Sequence, residues 1–246
     1  MLEARRLIKN FGTHRAVDDI SFTLERGEVL GFLGPNGAGK TTTMRMLAGC
    51  LEPDSGSARI ANYDCVAQRI EAQSRLGFLP EGAPAYPAMT PRGFVKFGLR
   101  ARGFDTAAVA RATDLALDRV RLGEASDQPI GTLSKGFKRR AALAAAIAHD
   151  PAVLILDEPT DGLDPNQKDG VRTLIRDMAP EKAIIISTHI LEEVPAVCSR
   201  AMVVARGKIL FDGSPHSLAE RGRDHTVESA FRDLTLDRPD IRESVV

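Results

Sequence analysis

The sequence has 246 residues, and its 33 Lys and Arg balance 33 Asp and Glu to give a formal net charge of zero. Hydrophobic residues make up 43% and charged residues 27%, which excludes global disorder and fibrous repeats. The charge balance argues against binding of nucleic acid by bulk electrostatics. Three widely separated cysteines, Cys50, Cys65 and Cys198, predict neither a zinc site nor a disulfide framework.

No segment of the sequence predicts secretion or membrane spanning. The N-terminal residues alternate and carry charges, so they lack the apolar run of a secretion signal. The longest apolar stretch, residues 141–148, has only about 8 residues, against the roughly 20 needed to cross a bilayer. We therefore expect a soluble protein on the cytosolic side of the membrane.

Short apolar runs recur along the chain and predict strands. Several are continuous rather than alternating, as expected for a parallel sheet that is covered on both faces. Helical patterns separate these runs, so the sequence predicts a layered α/β fold. The predicted strands cover residues 2–7, 20–24, 28–33, 58–60, 153–156, 183–187, 201–205 and 208–212.

A phosphate-binding loop follows the predicted strand 28–33, and a predicted helix over residues 41–47 follows the loop. Glycines in such a loop let backbone N–H groups surround a phosphate, and the helix start adds its positive dipole end. Lys40 would reach the β- and γ-phosphates of ATP, Thr41 would ligate Mg²⁺, and Thr42 lies in the same phosphate site. The strand and helix on either side argue against a chance match. The pattern G-x-x-x-x-G-K-[ST] is matched by Gly34, Pro35, Asn36, Gly37, Ala38, Gly39, Lys40 and Thr41.

The middle of the chain predicts a helical lobe over residues 83–150. Thr90 and the proline after it are typical of a helix start, and Ser134 opens an alanine-rich helix that runs to His149. After residue 214 the sequence is polar and mixed, with one predicted helix at residues 227–234. We therefore expect one domain, residues 1–214, in which the lobe is inserted, and a short tail, residues 215–246.

Two carboxylates end the predicted strand 153–156 and resemble a Walker B motif. In P-loop folds this strand is expected to lie beside the strand that carries the loop, so that its end faces the nucleotide. Asp157 would hold Mg²⁺ through its water shell, and Glu158 would orient and deprotonate the attacking water. The alternative interpretation is an ordinary strand that ends in two solvated acidic residues. The presence of the phosphate-binding loop in the same chain argues against this alternative.

Residues 132–140 resemble the LSGGQ signature of ABC-type ATPases, and the order of motifs over residues 2–215 fits that family. The resemblance implies a P-loop NTPase (RecA-like) core with a mainly parallel sheet, an N-terminal antiparallel β part and an inserted helical subdomain. It makes residues 162–164 the D-loop, which includes Asp164, and His189 the switch histidine that contacts the γ-phosphate. Phe11 stands where the family places an aromatic ring on adenine. His14, His149, His216 and His225 have no such context and are expected at the surface.

The signature implies a second copy of the domain. Ser134 is expected to cap a helix, and in the family this hydroxyl and the Gly136 N–H bind the γ-phosphate held by the other subunit, so that two ATP molecules lie between two domains. The sequence departs from the family at Lys135 and Phe137. Lys135 either adds charge near the nucleotide or faces solvent. Residues 138–140 are expected to form a solvated basic helix face rather than a nucleic-acid contact.

Glu81 falls where the family places its Q-loop glutamine, and we count it as a ligand toward Mg²⁺. This Leu-Pro-Glu form resembles the ATPase subunits of ABC-2 type exporters, including gliding-motility and multidrug groups. Pro195 falls inside the helix expected after His189, so that helix should kink or restart. Four apolar residues near the Q-loop are candidates either for a partner groove or for packing of the lobe: Tyr86, Met89, Phe94 and Phe97.

The leading interpretation is the energising subunit of a membrane exporter. The resemblance implies a separate polytopic permease, so the chain would be cytoplasmic and peripheral on the inner face of the membrane. ATP binding would close a dimer and hydrolysis would reopen it. A non-transport ABC ATPase of soluble or nucleic-acid machinery is the alternative, although such proteins carry two ATPase domains or a long coiled coil. A regulatory module without catalysis ranks last, because Lys40 and Glu158 are both present.

Overall fold

Two sheets form the framework of the computed structural model, which describes residues 1–236. The smaller sheet is antiparallel and has the strand order β2-β1-β4-β5. Its two long strands pair along their length, and each is longer than predicted because the charged residues on their exposed face still take part in the ladder. The four strands are β1 (Leu2–Phe11), β2 (His14–Leu24), β4 (Ser55–Ile60) and β5 (Tyr63–Asp64).

The larger sheet has the order β10-β9-β3-β8-β7-β6 and is parallel except at the β9–β10 hairpin. Every residue of β3, β7 and β8 is buried, which explains why these strands are continuous apolar runs. This arrangement confirms the predicted α/β class, with a mainly parallel core and an antiparallel N-terminal part. The six strands are β3 (Val29–Leu33), β6 (Leu76–Leu79), β7 (Val153–Asp157), β8 (Ala183–Ser187), β9 (Arg200–Ala205) and β10 (Lys208–Gly213).

Helices cover the faces of the parallel sheet. Helix α1 packs between the two sheets, where Met44, Met46 and Leu47 join one apolar cluster with β1, β2 and β3. A second cluster lies between the other face of the sheet and the helices of the middle of the chain. The helices of the core are α1 (Lys40–Leu47), α2 (Arg69–Ser74), α6 (Pro165–Met178), α7 (Val194–Val197), α8 (Pro215–Ala219) and α9 (Val227–Leu236).

Three helices lie in the stretch where the sequence predicts a helical lobe: α3 (Pro91–Ala101), α4 (Thr106–Arg119) and α5 (Lys135–Ile147). Each begins at a side-chain cap, as the N-cap pattern predicts. Thr90 Oγ1 accepts from Gly93 N at 3.0 Å, Asp105 caps α4, and Ser134 caps α5. The division of the chain into a domain of residues 1–214 and a tail stays a prediction, and residues 237–246 of that tail lie outside the described residues.

Strand β6 is the main element that the sequence does not predict. It has four residues and contains Gly77, which weakens a strand pattern. The glycine is required by packing, since a Cβ there would lie 2.3 Å from the carbonyl oxygen of Ala146 on α5. The expected interruption at Pro195 is present: a single 3₁₀ turn at Leu191–Glu193 ends and α7 restarts with this proline in its first turn.

The segment after β10 packs on the edge of the parallel sheet. Leu218 of α8 and Val227 and Ala230 of α9 are buried against Leu33 and Val203 of the sheet. Over residues 1–236, no helix combines the length and apolar character needed to cross a membrane.

Candidate active site

The phosphate-binding loop connects β3 to α1 and places its lysine inside the turn. Gly37 and Gly39 have φ values of 77° and 99°, which only glycine adopts readily. A Cβ on Gly39 would lie 2.3 Å from the carbonyl oxygen of Ala16, so this position also admits no larger residue. Lys40 Nζ donates to the carbonyl oxygens of Gly34 at 2.6 Å and Pro35 at 3.1 Å. Burial lowers the pKa of the Lys40 ammonium against the opposing effect of nearby carboxylates.

A cleft of about 440 Å³ opens over this loop at the carboxyl edge of the parallel sheet. It brings together the predicted adenine contact, residues 36–42 of the loop region and the carboxylates of Glu81, Asp157 and Glu158. The predicted residues Gly34, Pro35 and Asp164 do not line it. Two further lining residues, His14 and Ala16, were not predicted as site residues. The full lining is Phe11, His14, Ala16, Asn36, Gly37, Ala38, Gly39, Lys40, Thr41, Thr42, Glu81, Asp157 and Glu158.

Asp157 ends β7 as a buried carboxylate that is 1% exposed. Thr41 Oγ1 donates to Asp157 Oδ2 at 3.2 Å, and the Ser187 hydroxyl donates to Asp157 Oδ1. Strands β7 and β8 are paired so that Asp157 and Ser187 stand side by side, which explains this contact. Hydroxyl and carboxylate oxygens are the donors that Mg²⁺ prefers, so the pair fits this ion, and Glu81 lines the same cleft.

Glu158 follows with its backbone in the left-handed region at φ 53°. Its N–H donates to the carbonyl oxygen of Ser187 at 3.2 Å and to the Ser187 hydroxyl at 3.1 Å. Its carboxylate Oε2 lies 2.6 Å from His189 Nδ1. Burial raises the pKa of Glu158, while His189 acts in the opposite direction. The two residues predicted to be catalytic are therefore in direct contact.

The predicted signature residues lie away from this cleft. Ser134 caps α5 by accepting from Phe137 N at 3.4 Å, and Asp164 caps α6 by accepting from Gln167 N at 2.9 Å. Gly136 is buried between these helices, where a Cβ would lie 2.5 Å from Gln167 Oε1. None of Ser134, Gly136 and Asp164 lines the cleft over the loop of its own chain.

The basic residues beside the signature have partners within the chain. Lys135 is exposed, and its Nζ donates to Asp161 Oδ2 at 2.8 Å, so its charge is paired within the chain. This ion pair was neither of the two environments expected for Lys135, which were the vicinity of the nucleotide and solvent. The expectation of a solvated basic face at residues 138–140 is wrong for two of the three. Arg139 is 3% exposed and donates to the carbonyl oxygens of Asp157 and Glu158. Arg140 donates to the carbonyl oxygens of Val120 and Arg121 at the end of α4, because the last carbonyl groups of a helix have no N–H donors within that helix.

Several residues at the site escaped the sequence analysis. Ser187 ends a predicted strand, and its position in a parallel sheet is the one signal that could have placed it beside Asp157. Arg139 has no such signal, because two of its three partners are backbone carbonyl oxygens. His149 was expected at the surface but is half-buried, with Nε2 at 2.9 Å from the carbonyl oxygen of Leu76. Burial lowers the pKa of His149 to about 4.

Strand β8 lies between β3 and β7, so the prediction that the strand ending in Asp157 lies beside the strand of the loop is wrong, although both strands end at the same edge of the sheet. A phosphate-binding loop, a buried aspartate at that edge and a glutamate–histidine pair define a P-loop nucleoside triphosphatase. Residues 17–161, more than half of the chain, match the protein family described as ABC transporter. The chain belongs to the ABC transporter family, and it is an ATP-binding subunit with ATPase activity.

Similar proteins agree with this assignment. The chain is 38% identical over 221 residues to the Nod factor export ATP-binding protein I of Burkholderia lata, covering 89% of this chain and 72% of the relative. A solved ATP-binding subunit of an ABC transporter superposes with a TM-score of 0.87 at 24% identity, over 95% of this chain and 99% of that one. A dimeric ATP-binding cassette in a post-hydrolysis state, bound to ADP and Pi, superposes with a TM-score of 0.81 at 19% identity, over 87% and 98%. The two structures share the fold.

Proposed function

We propose that this chain is the energising subunit of an exporter. Two copies bind ATP between them, and hydrolysis drives a separate membrane subunit. The name of the Burkholderia lata relative describes an export ATP-binding protein. The observation that supports the proposal is a groove lined by exposed aromatic residues, which is connected to the nucleotide cleft through one short chain segment.

The catalytic part of the proposal assigns a role to each group at the cleft. Backbone N–H groups of the loop and the Lys40 ammonium bind the phosphates of ATP and neutralise their charge. Glu158 accepts a proton from the water whose oxygen attacks the γ-phosphorus as the bond to the bridging oxygen breaks. His189, in contact with the Glu158 carboxylate, holds the base toward that water. Phe11 provides a ring surface for adenine at the rim of the cleft.

Mg²⁺ belongs to the proposal as the cofactor of this site. Thr41 Oγ1 and Asp157 Oδ2 already lie 3.2 Å apart and would hold the ion, directly or through its water shell. Glu81 lines the same cleft and supplies a third oxygen donor. The ion neutralises negative charge on the β- and γ-phosphates when it is bound.

The position of the signature residues supports a pair of cassettes. Ser134, Gly136 and Asp164 do not line the cleft of their own chain, so a nucleotide that they bind is held by another copy. The Ser134 end of α5 has the unpaired N–H groups and positive dipole end that suit a phosphate. The post-hydrolysis cassette with the same fold is a dimer, which supports this arrangement.

We assign the membrane subunit to a groove between the parallel sheet and the helical lobe. It encloses about 380 Å³ and is bordered by Phe78 on β6, Phe94 and Phe97 on α3, and Tyr86 on the connection between them. Tyr86 and Phe97 are 54% and 47% exposed, and their rings contact each other edge to face with 5.8 Å between the ring centroids. Exposed neighbouring aromatic rings mark a protein-binding surface.

The groove and the nucleotide cleft are connected by a few residues. Leu79, Pro80 and Pro84 line the groove, whereas Glu81 lines the cleft. A shift of this segment when nucleotide binds therefore changes the shape of the groove. Such a shift is the physical coupling that a transport ATPase needs between its site and its membrane partner.

Capture of the membrane subunit tests the proposal. We expect tagged Glu158→Gln, extracted from native membranes with ATP in mild detergent, to carry a polytopic membrane protein in near-equal amount. Paired substitutions Tyr86→Asp and Phe97→Asp should abolish this capture. Leu115→Asp, at a residue of α4 that is equally exposed, should leave it intact. Capture of soluble proteins alone would favour the non-transport ATPase.

Two variants test the nucleotide roles separately. Glu158→Gln should bind ATP, accumulate as an ATP-bound dimer and turn over at least about a hundredfold more slowly, since a base is lost but the phosphate contacts remain. Lys40→Ala should instead weaken ATP binding itself. Equilibrium binding and steady-state hydrolysis measured on both proteins separate the two effects. Normal hydrolysis by Glu158→Gln would remove the base assignment, and normal binding by Lys40→Ala would remove the loop assignment.

A further inference from the structure

One arginine joins the signature helix to the catalytic loop inside the same chain. Arg139 lies one turn into α5 with its side chain buried, 3% exposed. Its Nη1 donates to the carbonyl oxygen of Asp157 at 3.3 Å and also to that of Glu158, and its Nη2 lies 3.3 Å from Asp161 Oδ2. A single guanidinium therefore binds three successive parts of the loop that carries the base.

The backbone of Glu158 has particular need of such a contact. Its left-handed φ of 53° is unfavourable for a residue with a side chain, so the surroundings must hold it there. On one side its N–H is bound by Ser187 of β8. On the other side its carbonyl oxygen is bound by Arg139. These two contacts fix the peptide units on both sides of the residue and so set the direction of its carboxylate.

Asp161 completes the connection to the signature. Its Oδ2 accepts from Lys135 at 2.8 Å and lies 3.3 Å from Arg139, so two cations of the first turns of α5 share one carboxylate. Lys135 is the residue directly after Ser134. A displacement of the start of α5 is thereby transmitted to the loop through Lys135 and Arg139.

We propose that Arg139 is a positioning residue for hydrolysis: it holds the Glu158 backbone so that the carboxylate reaches the attacking water, and it makes this geometry depend on the placement of the signature helix. The inference rests on the proposed role of Glu158 as the base. Arg139 touches neither ATP nor water in this scheme and acts through the Glu158 carbonyl group. Loss of its guanidinium should therefore lower kcat and leave ATP binding nearly unchanged.

Steady-state hydrolysis by Arg139→Met, which keeps the unbranched apolar part of the side chain but has no guanidinium donors, is the primary test. We expect kcat to fall about 10- to 100-fold while KM for ATP changes by less than about threefold, because a small misplacement of a catalytic group has this effect. Arg139→Lys retains a charge but cannot bind several acceptors in a fork, so kcat should lie about three- to tenfold below that of the original protein. This intermediate value is the expected partial rescue.

Arg140→Gln is the matched control. Arg140 is the next residue of α5 and also binds two backbone carbonyl oxygens, those of Val120 and Arg121, but it does not contact the catalytic loop. Its replacement should leave kcat within about twofold even where the unfolding temperature falls, because only packing of the lobe is affected. A fall of kcat in Arg140→Gln equal to that in Arg139→Met would overturn the positioning role.

Remaining outcomes also decide the question. A kcat within twofold of the original in Arg139→Met overturns the proposal, as does an equal loss of ATP binding and of turnover. Equilibrium binding of ATP with Mg²⁺ is measured in the Glu158→Gln background, with and without Arg139→Met, where turnover does not interfere. If Arg139→Met does not fold, Arg139→Lys takes its place as the test, and an unchanged kcat in that variant overturns the proposal. Normal hydrolysis by the single variant Glu158→Gln would contradict the assignment of Glu158 as the base. If Glu158→Gln is inactive and Arg139→Met is fully active, only the positioning role of Arg139 is contradicted.

Discussion

Glu158 combines several features that are unfavourable for stability and useful for chemistry. Its left-handed backbone costs roughly 1 to 2 kcal/mol relative to an ordinary conformation. Burial and the adjacent Asp157 both raise the pKa of its carboxyl group, and the contact with His189 only partly offsets them. A carboxylate with a raised pKa is a stronger base at neutral pH than an ordinary glutamate. The unfavourable placement is thus consistent with the proposed proton acceptor.

The pH dependence of hydrolysis follows from this environment. The base must be deprotonated, and its pKa is raised, so kcat should decline on acidification at a pH above the ordinary glutamate pKa of about 4.3. We expect an acid limb in kcat, measured at saturating ATP, whose midpoint lies above the ordinary glutamate pKa. A midpoint at or below about 4.3 contradicts the raised pKa.

His189 provides the internal control for that limb. Because its contact lowers the pKa of Glu158, its removal in His189→Gln should move the acid limb of the residual activity to higher pH. A shift to lower pH would mean that the limb belongs to another group. Separate measurement of ATP binding at each pH keeps changes in saturation out of the comparison.

At the scale of elements, a buried network connects the loop after β7 to the segment after His189. Thr160 Oγ1 donates to Glu193 Oε2 at 2.8 Å, and Arg172 of α6 donates to Glu193 Oε1 at 2.8 Å. Thr160 and Glu193 are both buried, so neither can exchange its partner for water. The network therefore fixes the distance between the two segments that carry Glu158 and His189.

Removal of the buried carboxylate should destabilise the fold. In Glu193→Ala the Thr160 hydroxyl and the Arg172 guanidinium lose their acceptor, and we expect the free energy of unfolding to fall by about 2 to 3 kcal/mol. Denaturant unfolding measures this change. Glu192→Ala, at the exposed preceding residue, should change the free energy by less than about 0.5 kcal/mol. Equal effects of the two substitutions would show that the network contributes nothing beyond local structure.

The same elements show what the sequence could and could not predict. The phosphate-binding loop and the strand ending in Asp157 were predictable, because their motifs are contiguous and their chemistry depends on neighbouring residues. The contacts of Arg139 were not, since they join residues 18 and 19 positions apart through backbone carbonyls that carry no sequence signal. Strand β6 escaped because Gly77, required by packing against α5, breaks the strand pattern.

At the scale of the whole molecule, the chain after β10 contributes to the core near the catalytic edge. Leu218 and Val227 pack in one cluster with Leu33, which ends the strand of the phosphate-binding loop, and with Val194, which follows His189 by five residues. The sequence shows this stretch as polar and mixed because only one side of each short helix is buried. The C-terminal helices therefore support both segments that converge on the nucleotide cleft.

A pair of leucines tests that support. Leu218 is fully buried at 0% exposure, whereas Leu236, at the end of α9, is 64% exposed. Leu218→Ala should lower the free energy of unfolding by about 2 to 5 kcal/mol, because it removes buried methyl groups and leaves a cavity beside β9 and α7. Leu236→Ala makes the same chemical change at the surface and should cost less than about 0.5 kcal/mol. Denaturant unfolding, monitored by circular dichroism, measures the free energy of unfolding of the two variants. If Leu218→Ala lowers the free energy of unfolding as little as Leu236→Ala does, the C-terminal helices pack on the cassette without stabilising it. The stability of the apolar cluster around Leu33 would then come from the sheet residues alone.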